Sequence, residues 1–158
     1  LGKDNIINRG ISGDVAMGIY DRLHQILPGK PKQIFLLIGV NDISHDLSTD
    51  SIVNMIEKNV TRIQRESPET KLYLQSLLPI DESFNRYKKL TNKTYQIPEI
   101  NDRLKALAKE KKIDFIDLYP LFTEKGTNVL RKELTYDGLH LKEEGYKIWV
   151  DAIKKKMK

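Results

Sequence analysis

Apolar positions along this chain fall into short blocks, and the spacing within the blocks changes from segment to segment. "NIIN" (5–8) predicts a short strand, closed by "RGISGD". Asp14 then stands where an N-cap is needed for a helix over 15–27, in which Ile19, Leu23, Ile26 and Leu27 recur at helical spacing. "PGKPK" stops that helix, and "QIFLLIGV" (33–40) follows as a nearly unbroken apolar run, the pattern of a strand buried on both faces of a parallel sheet. Ser48 or Thr49 caps a second helix over about 49–66, with Ile52, Ile56, Val60 and Ile63 as its apolar stripe. "KLYLQSLL" (71–78) predicts a third strand, and residues 79–97 a long polar connection. "IPEINDRLKALAKEKK" (97–112) gives a helix with Ile100, Leu104 and Leu107 inward, "IDFIDL" (113–118) a fourth strand, and "KEEGYKIWVDAIKKK" (142–156) the closing helix.

Strands alternating with helices predict an α/β layered fold, with a parallel sheet joined by right-handed crossovers. In such sheets ligands gather at the carboxyl ends of the strands, so the loops at that edge are where chemistry is expected. No internal repeat or low-complexity segment competes with this reading.

A chain of 158 residues suits one domain with a sheet between two helix layers. No apolar run approaches the roughly 18 residues of a membrane span. The absence of cysteine excludes disulfides, thiolate metal sites and a cysteine nucleophile. The net charge of +5 is concentrated in "KEKK" (109–112) and "KKKMK" (154–158), which read as solvated helix ends rather than a nucleic-acid surface, since no aromatic stacking motif accompanies them. Three histidines without helical His/Glu spacing give no zinc pattern.

Three loops expected at the carboxyl edge carry candidate chemistry. Gly13 in "GISGD" either permits a tight turn or turns a backbone N–H toward a developing oxyanion. Asn41 in "GVND" is either a strand-ending turn residue or a side-chain donor to the same oxyanion. Asp137 and His140 in "TYDGLHL" are either a turn and a surface histidine or an orienting carboxylate and its base, three residues apart across Gly138. His24 reads as a surface residue on a helix, and His45, in the "NDISHD" loop, as a residue bordering the cleft.

"NRGISGD", "IGVND" and "DGLHL", in this order, resemble three of the four signature blocks of the SGNH hydrolases, also called GDSL-type esterases and lipases. The resemblance runs from about residue 5 to residue 150 and implies a flavodoxin-like three-layer α/β/α fold, with ester hydrolysis through an acyl-serine. It implies Gly13 N–H and the Asn41 amide as oxyanion donors, His140 as general base and Asp137 as its orienting partner. It implies no metal or organic cofactor. "QSLLP" (75–79), Asn101 and Asp117 also fall where such proteins carry similar residues, in supporting rather than catalytic roles.

The fourth block, which holds the nucleophilic serine, has no counterpart. That serine belongs to a Gly-Asp-Ser or Gly-Asn-Ser segment upstream of the equivalent of "NRGISGD", and only seven residues precede Asn8. Ser12 lies in a partial G-x-S-x-G pattern, but its fifth residue is Asp14. Four strands are predicted where the family has one more, so the first strand and nucleophile segment are expected to be missing. A sheet lacking an interior strand would leave unpaired backbone groups, each costing about 1–3 kcal/mol if buried. The sequence thus reads as the carboxyl-terminal majority of a longer hydrolase, with little or no esterase activity on its own. The expected substrate is a small-molecule short acyl ester of a carbohydrate or a lysophospholipid-like compound. The rival readings are a catalytically inactive SGNH-like module that binds a glycan or a protein, and a flavodoxin-like nucleotide binder, the latter opposed by the lack of a phosphate-cradling glycine loop.

Overall fold

The computed structural model describes residues 6–157. Helix α1 (Ala16–Arg22) continues through two 3-10 turns, Leu23–Gln25 and Leu27–Gly29, and leads to strand β1 (Gln33–Leu36). A short helix α2 (Val40–Ser44) and the long α3 (Thr49–Glu66) come next, then β2 (Lys71–Gln75). The connection after β2 contains two 3-10 turns and ends at α4 (Gln96–Glu110). Strand β3 (Asp114–Ile116), α5 (Tyr119–Phe122) and α6 (Glu143–Lys154) complete the chain.

The strands form one parallel sheet in the order β1-β2-β3, with Phe35 beside Tyr73 and Leu74 beside Phe115. Alternation along the strands sorts the core into two layers. Ile34, Leu36, Leu72 and Leu74 join the cluster formed with α1, α3 and α4. Phe35, Tyr73 and Ile116 join the opposite cluster, which includes Leu118, Phe122, Leu134, Ile148 and Trp149. The rings of Phe35 and Tyr73 stack at 4.6 Å across the ladder. Both faces of the sheet are therefore covered, which is why β1 and β2 read as continuous apolar runs rather than alternating ones. Ile52, Ile56 and Val60 of α3 are fully buried, each contributing about 1.5–3 kcal/mol relative to exposure. Ser48 caps α3 by accepting the Ser51 N–H at 3.2 Å, as expected.

Three expectations are corrected. "NIIN" is not a strand: Ile6, Ile7 and Asn8 pair with no neighbour, Ile7 is 70% exposed, and Asn5 lies outside the described residues. A strand requires a ladder partner, and β1 pairs only with β2 among the described residues. Asp14 does not cap α1 at its second or third turn position. Its carboxylate instead receives Arg22 at 2.6 Å, because an ion pair with a half-buried guanidinium outcompetes a local cap. The first strand run stops at Leu36, and Asn41 stands in the first turn of α2 rather than at a strand end. Gly39, at φ +135°, turns the chain there and packs against Leu77 and Ile52.

Candidate active site

Two loops that the sequence marks separately are fastened together near the carboxyl end of β1. Residues 11–14 form a tight turn closed by Asp14 N–H to the Ile11 carbonyl at 3.2 Å, with Gly13 at φ +77° in the left-handed third position that a type II turn requires. The Asn41 Nδ2 donates to the Asp14 carbonyl at 2.8 Å, so the Asn41 amide lies against the Asp14–Val15 peptide, one residue beyond Gly13. Asp42, only 1% exposed, accepts the Ala16 N–H on both carboxylate oxygens, at 3.2 and 3.1 Å. Burial pushes the Asp42 carboxyl up from its ordinary range, although the Ala16 N–H and the nearby His45 oppose this. The backbone N–H of a glycine and the amide of an asparagine are thus held on adjoining loops, the donor types that stabilise an oxyanion. The second N–H of the Asn41 amide is not used by its bond to Asp14.

The third loop folds on itself. The Thr135 hydroxyl donates to the His140 carbonyl at 2.7 Å and accepts the N–H groups of Asp137 and Gly138, at 3.3 and 3.0 Å. Asp137 Oδ1 accepts the backbone N–H groups of Leu139 and His140, at 3.0 and 2.8 Å. Its Oδ2 lies 2.8 Å from His140 Nδ1. Burial works against ionisation of Asp137, but hydrogen bonds from Tyr87, the His140 ring and these two backbone N–H groups overcome it, holding the carboxyl well below the usual range. A carboxylate is an acceptor only, so Nδ1 carries the ring proton and Nε2 offers its lone pair. The His140 side chain is 63% exposed, which leaves Nε2 accessible.

The connection after β2 braces this loop from below. Asp81 N–H donates to the Gly138 carbonyl at 2.9 Å, and Phe84 lies under Gly138. Gly138 has φ +88°, and a Cβ there would stand 2.3 Å from the Asp81 carbonyl oxygen. Gly138→Ala is therefore expected to lower the thermal midpoint by about 4–10 °C: the left-handed backbone alone costs about 1–3 kcal/mol, and the clash with backbone adds to it. Gly13→Ala, with nothing within 4 Å of the added carbon, carries only the backbone strain. Calorimetry of the two variants checks the contrast, and equal midpoints would contradict the packing under Gly138.

The four residues singled out in the sequence thus fall in two groups: Asp137 bonds His140 directly, and Asn41 is tied to the turn of Gly13 through the Asp14 carbonyl. No hydrogen bond links one group to the other among the described residues. The 79–97 connection touches both sides, through Asp81 and Tyr87 to the base loop and through Lys93 to Asp46, just after α2. His45 is exposed beside that ion pair, and His24 is a surface residue whose Nδ1 lies 2.7 Å from the Asp21 carbonyl. Asn101 clamps Leu77 with both amide atoms, accepting its N–H at 2.7 Å and donating to its carbonyl at 3.0 Å, while Asp117 is exposed. Sequence reasoning missed Thr135, Asp42 and the contact of Tyr87 with Asp137. Thr135, two residues before the aspartate, carried the only local signal, as a hydroxyl able to staple a turn.

None of the chain's seven serines forms a hydrogen bond with His140 among the described residues. The Ser76 hydroxyl is fully buried and accepts the Leu118 and Tyr119 N–H groups, both at 2.9 Å. Ser44 donates to the Asn41 carbonyl at 2.7 Å. Ser12 is exposed in the turn before Gly13.

Comparison with known proteins gives a consistent picture. Residues 1–148 match the GDSL-like Lipase/Acylhydrolase family. A GDSL-like lipase from Bacteroides thetaiotaomicron has the same fold, with a TM-score of 0.85 and 26% identity over 95% of this chain and 74% of that one. An acetyl xylan esterase shares the fold alone, with a TM-score of 0.78 and 22% identity over 94% of this chain and 79% of that one. The N-acylneuraminate cytidylyltransferase of Escherichia coli O18:K1:H7 is 26% identical over 149 residues, which is 92% of this chain but only 33% of that protein, so the chain spans about a third of that relative's length. With its parallel sheet covered on both faces and its family match across nearly the whole sequence, the chain belongs to the GDSL-like lipase/acylhydrolase family.

Proposed function

We propose that this chain supplies the base, its orienting acid and the oxyanion donors of a serine ester hydrolase acting on short acyl esters. The observation that carries this reading is the Asp137–His140 pair, with Nδ1 fixed on an ionised carboxylate and the His140 side chain largely exposed. In the reaction a serine hydroxyl attacks the ester carbonyl while His140 Nε2 takes its proton. The tetrahedral oxyanion is held by Gly13 N–H and the Asn41 amide, and collapse releases the alcohol, which takes the proton back from His140. Water then repeats the sequence on the acyl-serine and releases the acid.

The serine in this reading is delivered on a parallel strand lying along the free edge of β1. That edge carries the half-buried Ile34 and Phe35 and has no partner among the described residues. Carbohydrate esters are favoured over lysophospholipid-like ones because the relative of which this chain matches a third is named for an N-acylneuraminate, a sugar; its N-acyl group is an amide, so the name supports the sugar portion and not the ester bond. Acetate release from acetylated sugars and from acetylated lysolipids, by protein that includes a serine-bearing strand, tests the reading. Release from the sugars is expected. Saturable glycan binding with no release from either class would instead support an inert binding module, in keeping with the absence of a serine bonded to His140 among the described residues.

A further inference from the structure

We infer that Tyr87 is a third member of the base assembly, a positioning residue that shares the Asp137 carboxylate with His140 and sets how strongly that carboxylate holds the imidazole. The inference rests on the hydrolase reading for its catalytic meaning, but its structural content stands apart from it. The Tyr87 hydroxyl donates to Asp137 Oδ2 at 2.6 Å and lies 2.9 Å from His140 Nδ1. The same Oδ2 lies 2.8 Å from Nδ1, so phenol, carboxylate and imidazole close a triangle in which one oxygen accepts from two donors. The two rings meet edge to face, at 63° and 5.7 Å between centroids.

The location of Tyr87 is held by the connection that carries it. Leu90, three residues on, is 3% exposed, and its N–H donates to the Tyr87 carbonyl at 2.8 Å. Glu82 ties the two ends of this segment together, accepting the Asn92 N–H at 2.9 Å and the Thr94 hydroxyl. The phenol is therefore presented to Asp137 from a separate, braced element, 50 residues away in sequence. The hydrogen bond to Asp137, with burial second, pushes the phenol up from its ordinary range, so its proton stays on the tyrosine and remains available to the carboxylate.

The consequence for the base follows from charge sharing. A carboxylate oxygen that already accepts a short hydrogen bond is less basic, and it stabilises an adjacent imidazolium less than an unshared one does. The other charged groups near the triangle are Arg86, which acts on the phenol, Asp81 beneath Gly138, and Lys142 over the Tyr136 ring. None of them hydrogen-bonds Asp137 Oδ2, so among the described residues Tyr87 alone competes with the ring for that oxygen.

Nuclear magnetic resonance titration of the His140 ring protons tests this without reliance on turnover. Tyr87→Phe, which keeps the ring and deletes the donor, is expected to move the His140 titration midpoint up by about half a pH unit or more. Fluorotyrosine at position 87, a stronger donor, is expected to move it down, and this second variant answers the question even if the phenylalanine variant folds poorly. Tyr95→Phe, in the same connection but 69% exposed, leaves the midpoint in place. In a form that hydrolyses an ester, the acid limb of the kcat/KM profile moves with the midpoint while KM stays constant. Midpoints unchanged by both substitutions at Tyr87, or moved in the same direction by both, would overturn the assignment. Opposite shifts in a protein that hydrolyses no ester would leave Tyr87 in its role and remove the hydrolase reading instead.

Discussion

His140→Ala is expected to lower kcat/KM for an acetyl ester by about 10²–10⁴-fold, the usual contribution of a positioned general base, in every form of the protein that hydrolyses one. The loss follows from the way the loop is built. Asp137 is anchored on two backbone N–H groups and on Tyr87 before it meets the ring, so the imidazole is received by a fixed carboxylate rather than by a mobile one. Removal of the imidazole leaves that carboxylate in place with no proton acceptor where Nε2 stood. Because the His140 side chain is largely exposed, the substitution opens no core cavity and is expected to leave the thermal midpoint nearly unchanged. Steady-state kinetics with calorimetry on the same sample separates the two effects. A loss of activity accompanied by a large fall in midpoint would point to a structural rather than a chemical role.

Asn41→Ala carries the second large effect, a fall in kcat of about 10²–10³-fold, as for other oxyanion donors. In the proposed reaction the amide has two tasks: one N–H holds the Asp14 carbonyl at 2.8 Å, and the other is the proposed donor to the oxyanion. Substitution therefore removes a donor and also loosens the turn that presents Gly13. Asp42 limits the damage, since its two contacts with the Ala16 N–H keep the loops together after Asn41 is lost. Most of the fall should appear in kcat, with KM changed little, because the oxyanion exists only after attack. Asn41→Asp should be at least as severe, since it sets a negative charge where another develops. Equal activity in Asn41→Ala and the parent protein would contradict the role of the amide.

How much of this was legible in the sequence depended on range. The α3 stripe and its Ser48 cap are local patterns, and the structure follows them closely. The Asp137–His140 pair was also legible, since three residues and one glycine suffice to bring carboxylate and ring together within a single loop. The Asp14 role was misjudged because the sequence offers only the local alternative, whereas the folded chain supplies Arg22, eight residues on. "NIIN" has strand composition, but a strand is defined by its neighbour, and composition is silent about whether one is present. Tyr87 lies within the stretch 79–97 that reads only as a long polar connection, and its contact with Asp137 was hidden because nothing local couples positions 50 residues apart. The joining of the Gly13 and Asn41 loops was similarly hidden, since it rests on Asp14 and Ala16 meeting residues of α2 across more than twenty-five positions of chain.

Covalent labelling with a fluorophosphonate, mapped by peptide mass spectrometry, tests the central claim most directly. The reagent needs an activated serine, a base and an oxyanion hole together, and this chain is proposed to carry all but the first. The 158-residue chain should take no label on any of its seven serines. Protein that includes a serine-bearing strand beside β1 should be labelled on that serine, and the label should be lost in His140→Ala. Label on Ser12 of the 158-residue chain, lost in His140→Ala, would contradict the account.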